Sequence, residues 1–184
     1  MNLELARSRL AQAGVVLAPG LTAGEIDRAE QTYALVFPPD LRELLMFALP
    51  VSAGWPDWRA GDDPRIRAQL RAPYEGICFD IEHDAFWLDA WGARPTVLAE
   101  AFAIAKKHVD AAPTLIPIRG HRYLPSRPSV SGNPVFSVHQ TDIIHYGADL
   151  WNYLENEFHG AFETPEYQLT QLLRHIDFWS DLAS

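Results

Sequence analysis

The chain has 184 residues, of which 48% are hydrophobic, and this length and composition fit one globular domain with a sizeable core. Its single cysteine, Cys78, excludes an internal disulfide, and its apolar runs are shorter than the roughly 20 residues that a membrane-spanning helix needs. The formal net charge is −9, with eight acids against Arg174 alone from residue 130 onward, which disfavours nucleic-acid binding. The first 14 residues lack the layout of a secretory signal, so we expect a cytoplasmic protein.

The first 50 residues predict three helices that each pack by one apolar face. We expect the first helix to end at Gly14. A capping-box pattern of Thr22 with Glu25 starts the second helix. The adjacent prolines Pro38 and Pro39 pre-set the first turn of the third. The apolar positions of the three faces are Leu3, Ala6, Leu10 and Ala13; Ile26, Ala29 and Tyr33; and Leu41, Leu44, Leu45 and Ala48.

The segment FDIEHDAFW alternates acidic and apolar residues. On a strand, Asp80, Glu82 and Asp84 would share one face as a row of carboxylates. Such a row could hold Mg²⁺ or supply a catalytic acid and base, as in a metal-dependent hydrolase. Carboxylates are also common on solvated strand faces, and no His or Lys is tied to these three by spacing. We therefore expect a solvated face rather than a catalytic site.

The remaining elements alternate between helix and strand. Asp62 or Asp63 before Pro64 indicates a helix that turns Ile66 and Leu70 inward. A further helix is predicted over 96–108, with Leu98, Phe102, Ala105 and Val109 on its buried face. Strands are predicted over 115–118, 135–139 and 142–146, and N-caps at Asp149 and Thr164 begin two more helices. These elements predict a single α+β domain over 1–184, with helices packed on a mostly antiparallel sheet.

Three potential metal ligands, His139, Asp142 and His145, lie three residues apart in a β-branched stretch. A two-residue turn at Gln140 and Thr141 would oppose His139 and Asp142, and His145 would point to the other face. Three ligands then cannot converge, so we expect a cross-strand contact or surface residues instead of a metal site. The chain also lacks a G-x-S-x-G elbow and a glycine-rich phosphate loop, so we expect neither an enzyme nor a bound cofactor.

Two loops carry candidate partner-binding residues. Trp55, Asp57 and Trp58 fall in one loop. Two interpretations stay open for the two indole rings: they anchor a partner, or they close over the core. The second is a basic and aromatic loop made of Arg119, His121, Arg122, Tyr123 and Arg127. It suits an acidic patch on a partner, but the two arginines Arg119 and Arg122 equally suit internal pairs with acids such as Asp142 or Glu155.

Several motifs in order resemble the SUKH superfamily of bacterial immunity proteins, which also includes a yeast regulator of cell-wall synthesis. The motifs are GLTAGEIDRAE, FPPDLRELL, GWPDW, GICFDIEHDAFWLDAWGARP, LIPIRGHRYLPS and GNPVFSVHQTDIIHYGADLWNYLENEF, which together cover most of the chain. The segment FALPVSAG departs from the Asn-Gly pair that the family often places after the FPPDLRELL helix. The resemblance implies a non-catalytic protein that neutralises a toxin by direct contact, or a regulatory scaffold.

The concentration of acids after residue 130 suggests how such contact would work. We expect Glu155, Glu157 and Glu163 to lie on the outer faces of the last helices, where they would meet a basic toxin domain. The expected partner is therefore a protein, with no role for nucleic acid or membrane.

Overall fold

The computed structural model of the protein describes residues 3–159 and 173–183. Within these ranges the elements in chain order are α1 (Leu3–Gln12), β1 (Leu17–Pro19), α2 (Ala23–Tyr33), α3 (Pro39–Phe47), β2 (Ala48–Pro50), α4 (Pro64–His83), α5 (Leu98–Ala111), β3 (Leu115–Arg119), β4 (Arg122–Pro125), β5 (Val135–His139), β6 (Asp142–Gly147), α6 (Leu150–Glu157) and α7 (Trp179–Leu182). The α+β class with antiparallel sheets is confirmed. No helix in the described ranges is long and apolar enough to cross a membrane.

The main sheet is a four-stranded antiparallel meander in the order β3-β4-β5-β6, so each strand pairs with the next one along the chain. The strands β1 and β2 form a separate two-stranded ribbon. The buried cross-strand pairs of the main sheet are Ile116–Leu124, Tyr123–Phe136 and Val138–Ile143. The turn at Gln140 and Thr141 opposes His139 and Asp142, as the sequence predicts.

Both faces of the meander are buried, so the sheet lies between two layers of helices. One face joins a core with α1, α2, α3 and α6, and its strand residues are Ile116, Ile118, Leu124 and Val135. The other face packs on α4, α5 and α7, and its strand residues are Leu115, Tyr123, Phe136, Val138 and Ile143. Burial on both faces explains why β3 is apolar throughout LIPI instead of alternating with polar residues.

Three helix starts that the sequence predicts are confirmed by their caps. The Thr22 side chain accepts a hydrogen bond from the Glu25 amide in a complete capping box. The carboxylates of Asp63 and Asp149 accept from amides two and three residues further on. Each cap satisfies backbone donors that the helix leaves free, and contributes about 1 kcal/mol to stability.

The carboxylate row indicated at 79–87 is wrong, because this segment belongs to α4. Ile77 and Ile81 lie one helical turn apart and are both fully buried, so tertiary packing imposes the helical period. Asp80 falls on the same buried side, Glu82 is exposed, and Asp84 caps the end of the helix. The three carboxylates therefore do not share one face, and they do not form the row on which the hydrolase interpretation depended.

Other differences are smaller. The basic loop contains a strand, β4, and the ribbon formed by β1 and β2 was not predicted. Helix α5 begins and ends later than expected: Leu98 is exposed, and Ala101 and Ala105 form its fully buried positions. The N-cap predicted at Thr164 lies outside the described residues. Residues 173–176, which are described, are irregular rather than helical, although Ile176 is buried as expected.

The β5–β6 turn is fixed on α4 by a close backbone approach. A Cβ atom at Gly76 would lie 2.7 Å from the Cα atom of Gln140, so only glycine fits at this position of the helix. One turn later, Asp80 Oδ2 accepts a hydrogen bond from the Thr141 amide at 2.8 Å and a second one from the Thr141 hydroxyl. The helix therefore determines where the tip of this hairpin lies.

Candidate partner-binding surface

The loop 51–57 lies directly against the β3–β4 turn. The Gly120 amide donates a hydrogen bond to the Gly54 carbonyl at 2.9 Å. Gly54 adopts a φ of 88°, and a Cβ atom there would lie 3.7 Å from Cγ of Arg119. Two candidate loops that are far apart in sequence are thus brought together at one end of the sheet.

Trp55 joins these loops to the end of α6. Its ring stacks on Phe158 with centroids 5.9 Å apart, and the Arg119 guanidinium lies 5.6 Å from the centre of the same phenyl ring. The indole ring is only partly buried, but its Nε1 atom is buried and has no hydrogen-bond partner within 3–159 and 173–183. Trp55 therefore lies between the core and the surface and carries an unsatisfied donor.

A charged and aromatic network continues from Arg119 into the sheet. Arg119 Nη1 lies 2.7 Å from Glu157 Oε1, and the Tyr146 hydroxyl donates to Glu157 Oε2 at 2.8 Å. The Arg122 guanidinium lies 3.6 Å from the centre of the Tyr146 ring, and its Nη1 donates to Ser137 Oγ at 2.8 Å. The network ties β4, β5, β6 and α6 together. The internal interpretation is supported for Arg119, although its acid is Glu157 rather than Asp142 or Glu155. Arg122 forms no ion pair with an acid among the described residues.

The acidic face expected on α6 is largely absent. The Glu157 side chain is 17% exposed and is committed to Arg119 and Tyr146, so the expectation that it lies on the outer face of the helix is wrong. The Glu155 side chain is 48% exposed, with one carboxylate oxygen 3.6 Å from Arg9 Nη2. Glu163, the third acid of the expected face, lies outside the described residues.

Trp58 and Tyr123 belong to the interior. Trp58 is 3% exposed and makes edge-to-face contacts with Tyr33 and Phe37, at centroid distances of 5.6 Å and 4.9 Å. The core interpretation therefore applies to Trp58, and this residue does not present its ring to a partner. Tyr123 is buried between the sheet and α4, where its hydroxyl donates to the Gln69 carbonyl at 3.1 Å. Burial raises the pKa of Tyr123 to about 12.

Two histidines lie at the tips of the hairpins. His121 and His139 are exposed, and their ring centroids are 6.5 Å apart. Desolvation lowers the pKa of His121, and the neighbouring charges of Arg122 and His139 act in the same direction. His121 therefore stays neutral to lower pH than an isolated histidine does.

A groove of about 480 Å³ separates the loop 51–57 from the start of α4. Trp55, half-buried Asp57, exposed Arg65 and Gln69 are among its lining residues. The Asp57 carboxylate also accepts a hydrogen bond from the Arg59 amide at 3.1 Å, which holds the loop in shape. Val51 lines the groove and is exposed, and its amide donates to the carbonyl of Val16, which is exposed as well. Aromatic, cationic and aliphatic groups thus occur together at the surface.

Neither a family model, nor a curated protein, nor a solved structure matches this chain in the three comparisons. The SUKH assignment that the motifs suggest therefore stays a prediction.

The potential metal ligands near the β5–β6 turn do not converge. His139 and Asp142 are opposed on one face, whereas His145 points to the other face, with Nε2 3.3 Å from Ser180 Oγ. In the described part of the chain, no three His, Cys, Asp or Glu side chains are close enough together to hold a metal ion. The carboxylate of Asp80 is likewise engaged by Thr141.

Sequence reasoning missed four contributors to this surface: Tyr146, Phe158, Arg65 and Val16. Tyr146 and Phe158 act through Glu157 and Trp55, partners that only the tertiary fold brings close. Arg65 points outward from its helix, with its side chain 84% exposed. Its place on the groove could not be inferred, because the loop opposite has no regular structure from which to project a direction.

Proposed function

We propose that the chain is a protein-binding module, and that it acts as an immunity protein that neutralises a toxin by occlusion. The observation that carries the binding proposal is that Trp55, which lines the 480 Å³ groove, and Arg119 both pack on the ring of Phe158. Tryptophan and arginine are the side chains most enriched at binding hot spots, and a firmly held loop lowers the entropic cost of association.

The exposed valines at the edge of the groove support a protein ligand. Val16 and Val51 adjoin one another just beyond the end of the β1–β2 ribbon, so a partner that covers the groove would also remove aliphatic surface from water. Arg65 offers a charged group at the opposite wall. An apolar centre with a charged edge is the usual composition of an interface.

The proposal that the partner is a toxin rests on the resemblance of the motifs to the SUKH superfamily and on the charge of the chain. A net charge of −9 favours encounter with a basic protein. The hydrolase alternative loses its support, because α4 disperses the three carboxylates on which it depended.

The proposal is tested by producing the chain together with the toxic domain of a large secreted protein encoded beside its gene. We expect the chain to restore growth of the host and to form a stable complex with that domain in solution. If growth stays arrested while the chain is abundant and folded, the immunity role is wrong. A complex with a protein of the host's own, formed without any toxin, would favour the scaffold role.

The location of the surface needs variants of the same complex. We expect Arg65→Ala and Val16→Ser to weaken binding of the toxic domain, each by about 1–2 kcal/mol. Arg71→Ala is the matched control, because Arg71 is an exposed arginine of the same helix that pairs only locally with Glu75. Equal losses for Arg65→Ala and Arg71→Ala would place the interface elsewhere.

A further inference from the structure

A second and larger cleft, of about 630 Å³, lies between α2 and the end of the main sheet. One wall consists of the last turns of α2 and residues 34–36, and the other consists of the end of α5 with residues 126–129. Its size is in the range of cavities that enclose a small ligand or a side chain of a partner. Among the described residues that line this cleft, Arg127 is the one that the sequence singled out as a candidate for partner binding.

Ser126 is a buried polar group with an unused hydroxyl in this cleft. The residue is 7% exposed and lines the cavity. Its amide donates to the Thr114 carbonyl at 2.8 Å, but its hydroxyl has no hydrogen bond to any residue in the described ranges. Solvent reaches this hydroxyl in the cleft, so a ligand that enters can replace water as its hydrogen-bond partner.

Three carboxylates line the cleft, those of Asp27, Glu30 and Asp110, against one cation among the described lining residues, Arg127. One nitrogen of the Arg127 guanidinium is already occupied, because Nη2 donates to the carbonyls of Ala111 and Ala112 at 3.0 Å and 2.9 Å. Carboxylates therefore outnumber cations among the described lining residues, and acceptor sites that their ion pairs leave open suit a ligand with a cationic donor.

The carboxylates have internal partners but keep acceptor capacity. Arg42 lies 3.3 Å from Asp27 and 3.4 Å from Glu30, and Lys106 lies 2.7 Å from Asp110. A carboxylate offers about four lone-pair sites, so one ion pair does not saturate it. The pairs hold the carboxylates of two separate helices at the edges of one cavity.

The floor of the cleft is aliphatic. Ala34, Leu35 and Val36 follow the end of α2, and Ala112 faces them from the end of α5. Val36 is 54% exposed, although its neighbours in sequence on either side, Leu35 and Phe37, are buried. An aliphatic floor with carboxylates at the edge matches a long side chain that ends in a cation, because the methylene stem and the charged head need different surroundings.

We propose that this cleft receives a lysine or arginine side chain of the protein partner. The stem lies on the floor at Val36, and the cationic head donates hydrogen bonds to the carboxylates and to the Ser126 hydroxyl. This assignment of the partner rests on the proposed function, and it replaces the acidic face of α6 as the place where a basic toxin is recognised. The site itself does not depend on the toxin for its test.

The direct test is a titration of the ¹⁵N-labelled chain with n-butylguanidinium, followed by amide chemical shifts. We expect saturable shifts at Gln31, Val36 and Ser126, which weaken at high salt because the charges are screened. Neutral n-butylurea, which has nearly the same shape, is expected to cause much smaller shifts. Equal binding of both compounds, or no shifts at the cleft, overturns the proposal. If putrescine saturates the cleft at a lower concentration than butylguanidinium, the site belongs to a free amine and the assignment to a protein side chain is wrong.

Variants assign the binding to the named groups. We expect Asp110→Asn and Ser126→Ala each to weaken butylguanidinium binding about two- to fivefold. Glu75→Gln is the matched control for Asp110→Asn, because both acids form exposed ion pairs with a base four residues away on a helix. We expect Glu75→Gln to leave the affinity unchanged, and an equal effect of both substitutions would show a general response to charge and overturn the proposal.

The same variants separate this proposal from the proposed function. We expect Asp110→Asn to weaken the complex with the toxic domain and to slow its association, most strongly at low salt. A cleft that binds butylguanidinium in a chain that fails to bind or neutralise the toxin would overturn the immunity role and the toxin as partner, but not the cation site. A toxin complex that is indifferent to both Asp110→Asn and Ser126→Ala would overturn the cleft as a docking site while the proposed function stands.

Discussion

Arg119 and Glu157 form an ion pair of 2.7 Å that joins the last residue of β3 to the last residue of α6. The pair is not an ordinary surface contact, because the same carboxylate also accepts a hydrogen bond from Tyr146. Arg119 in turn lies over Phe158, on which Trp55 stacks. The pair therefore supports the loop 51–57, which forms one wall of the proposed binding groove.

Removing the charge at Glu157 is expected to destabilise the fold. Glu157→Gln leaves Arg119 without its anion in a partly buried position, and we expect a loss of about 1–3 kcal/mol in the free energy of unfolding. Glu155→Gln is the control, because the Glu155 side chain is 48% exposed and exposed pairs contribute less than about 1 kcal/mol. Chemical denaturation measures both values. Similar, small losses in the two variants would mean that the network adds nothing to stability.

The two tryptophans of the GWPDW loop are expected to respond differently to truncation. Trp58→Ala empties a position in the core and is expected to cost about 3–5 kcal/mol of stability. Trp55→Phe retains a ring against Phe158 and removes the unsatisfied indole donor, so we expect a change of less than about 1 kcal/mol. Thermal unfolding of both variants checks the contrast. A large loss for Trp55→Phe would show that the indole makes a polar contact through water.

The contact between Gly76 and the β5–β6 turn predicts opposite outcomes for two glycine substitutions. Gly76→Ala forces a methyl group to within 2.7 Å of the Gln140 Cα atom, and we expect about 1–3 kcal/mol of destabilisation. Gly24→Ala in α2 meets open space and is expected to stabilise the chain by about 0.5–1 kcal/mol. Equilibrium unfolding distinguishes them. If Gly76→Ala is as favourable as Gly24→Ala, the turn does not depend on this close approach.

Asp40 predicts a dependence of stability on pH. This carboxylate is buried at the start of α3, and desolvation raises its pKa, although hydrogen bonds from the amides of Gly132 and Leu41 act in the opposite direction. Because the pKa is higher in the folded than in the unfolded chain, the folded state binds the proton more readily. Stability from this group is therefore present at low pH and is lost as the pH rises from about 4 through the raised pKa.

The test compares wild type with Asp40→Asn in urea unfolding between about pH 4 and pH 7. We expect the stability of wild type relative to the variant to decrease as the pH rises, because the variant has no proton to lose. Asp27→Asn is the control, since Asp27 is largely exposed. A constant difference between wild type and Asp40→Asn over this interval would show that Asp40 titrates normally.

Local features of the fold could be predicted from the sequence, and features that depend on distant contacts could not. Helix starts at Thr22, Asp63 and Asp149 were predictable because a cap involves only residues up to three positions away. The continuation of α4 past Pro73 was not, because a proline inside a helix is unfavourable by itself and is here offset by burial of Ile77 and Ile81.

The candidate site shows the same division. The GWPDW loop and the basic loop were singled out by composition, and they do meet in space. The pairing of Arg119 with Glu157 instead of Glu155 could not be predicted, because it depends on which side of α6 faces the sheet. The cleft at Ser126 gave no signal in the sequence, because its walls come from segments that lie far apart along the chain.

The meander topology has a consequence for how the chain folds. Because β3 to β6 pair only with their neighbours in sequence, the loops that must close to form this sheet are short, and short loops close at low entropic cost. We expect residues 115–147 to gain protection first in pulse-labelled hydrogen exchange, before α1 to α3 do. The partner-binding groove, whose walls come from 51–57 and 63–69, would then be completed only when the N-terminal half docks on a preformed sheet.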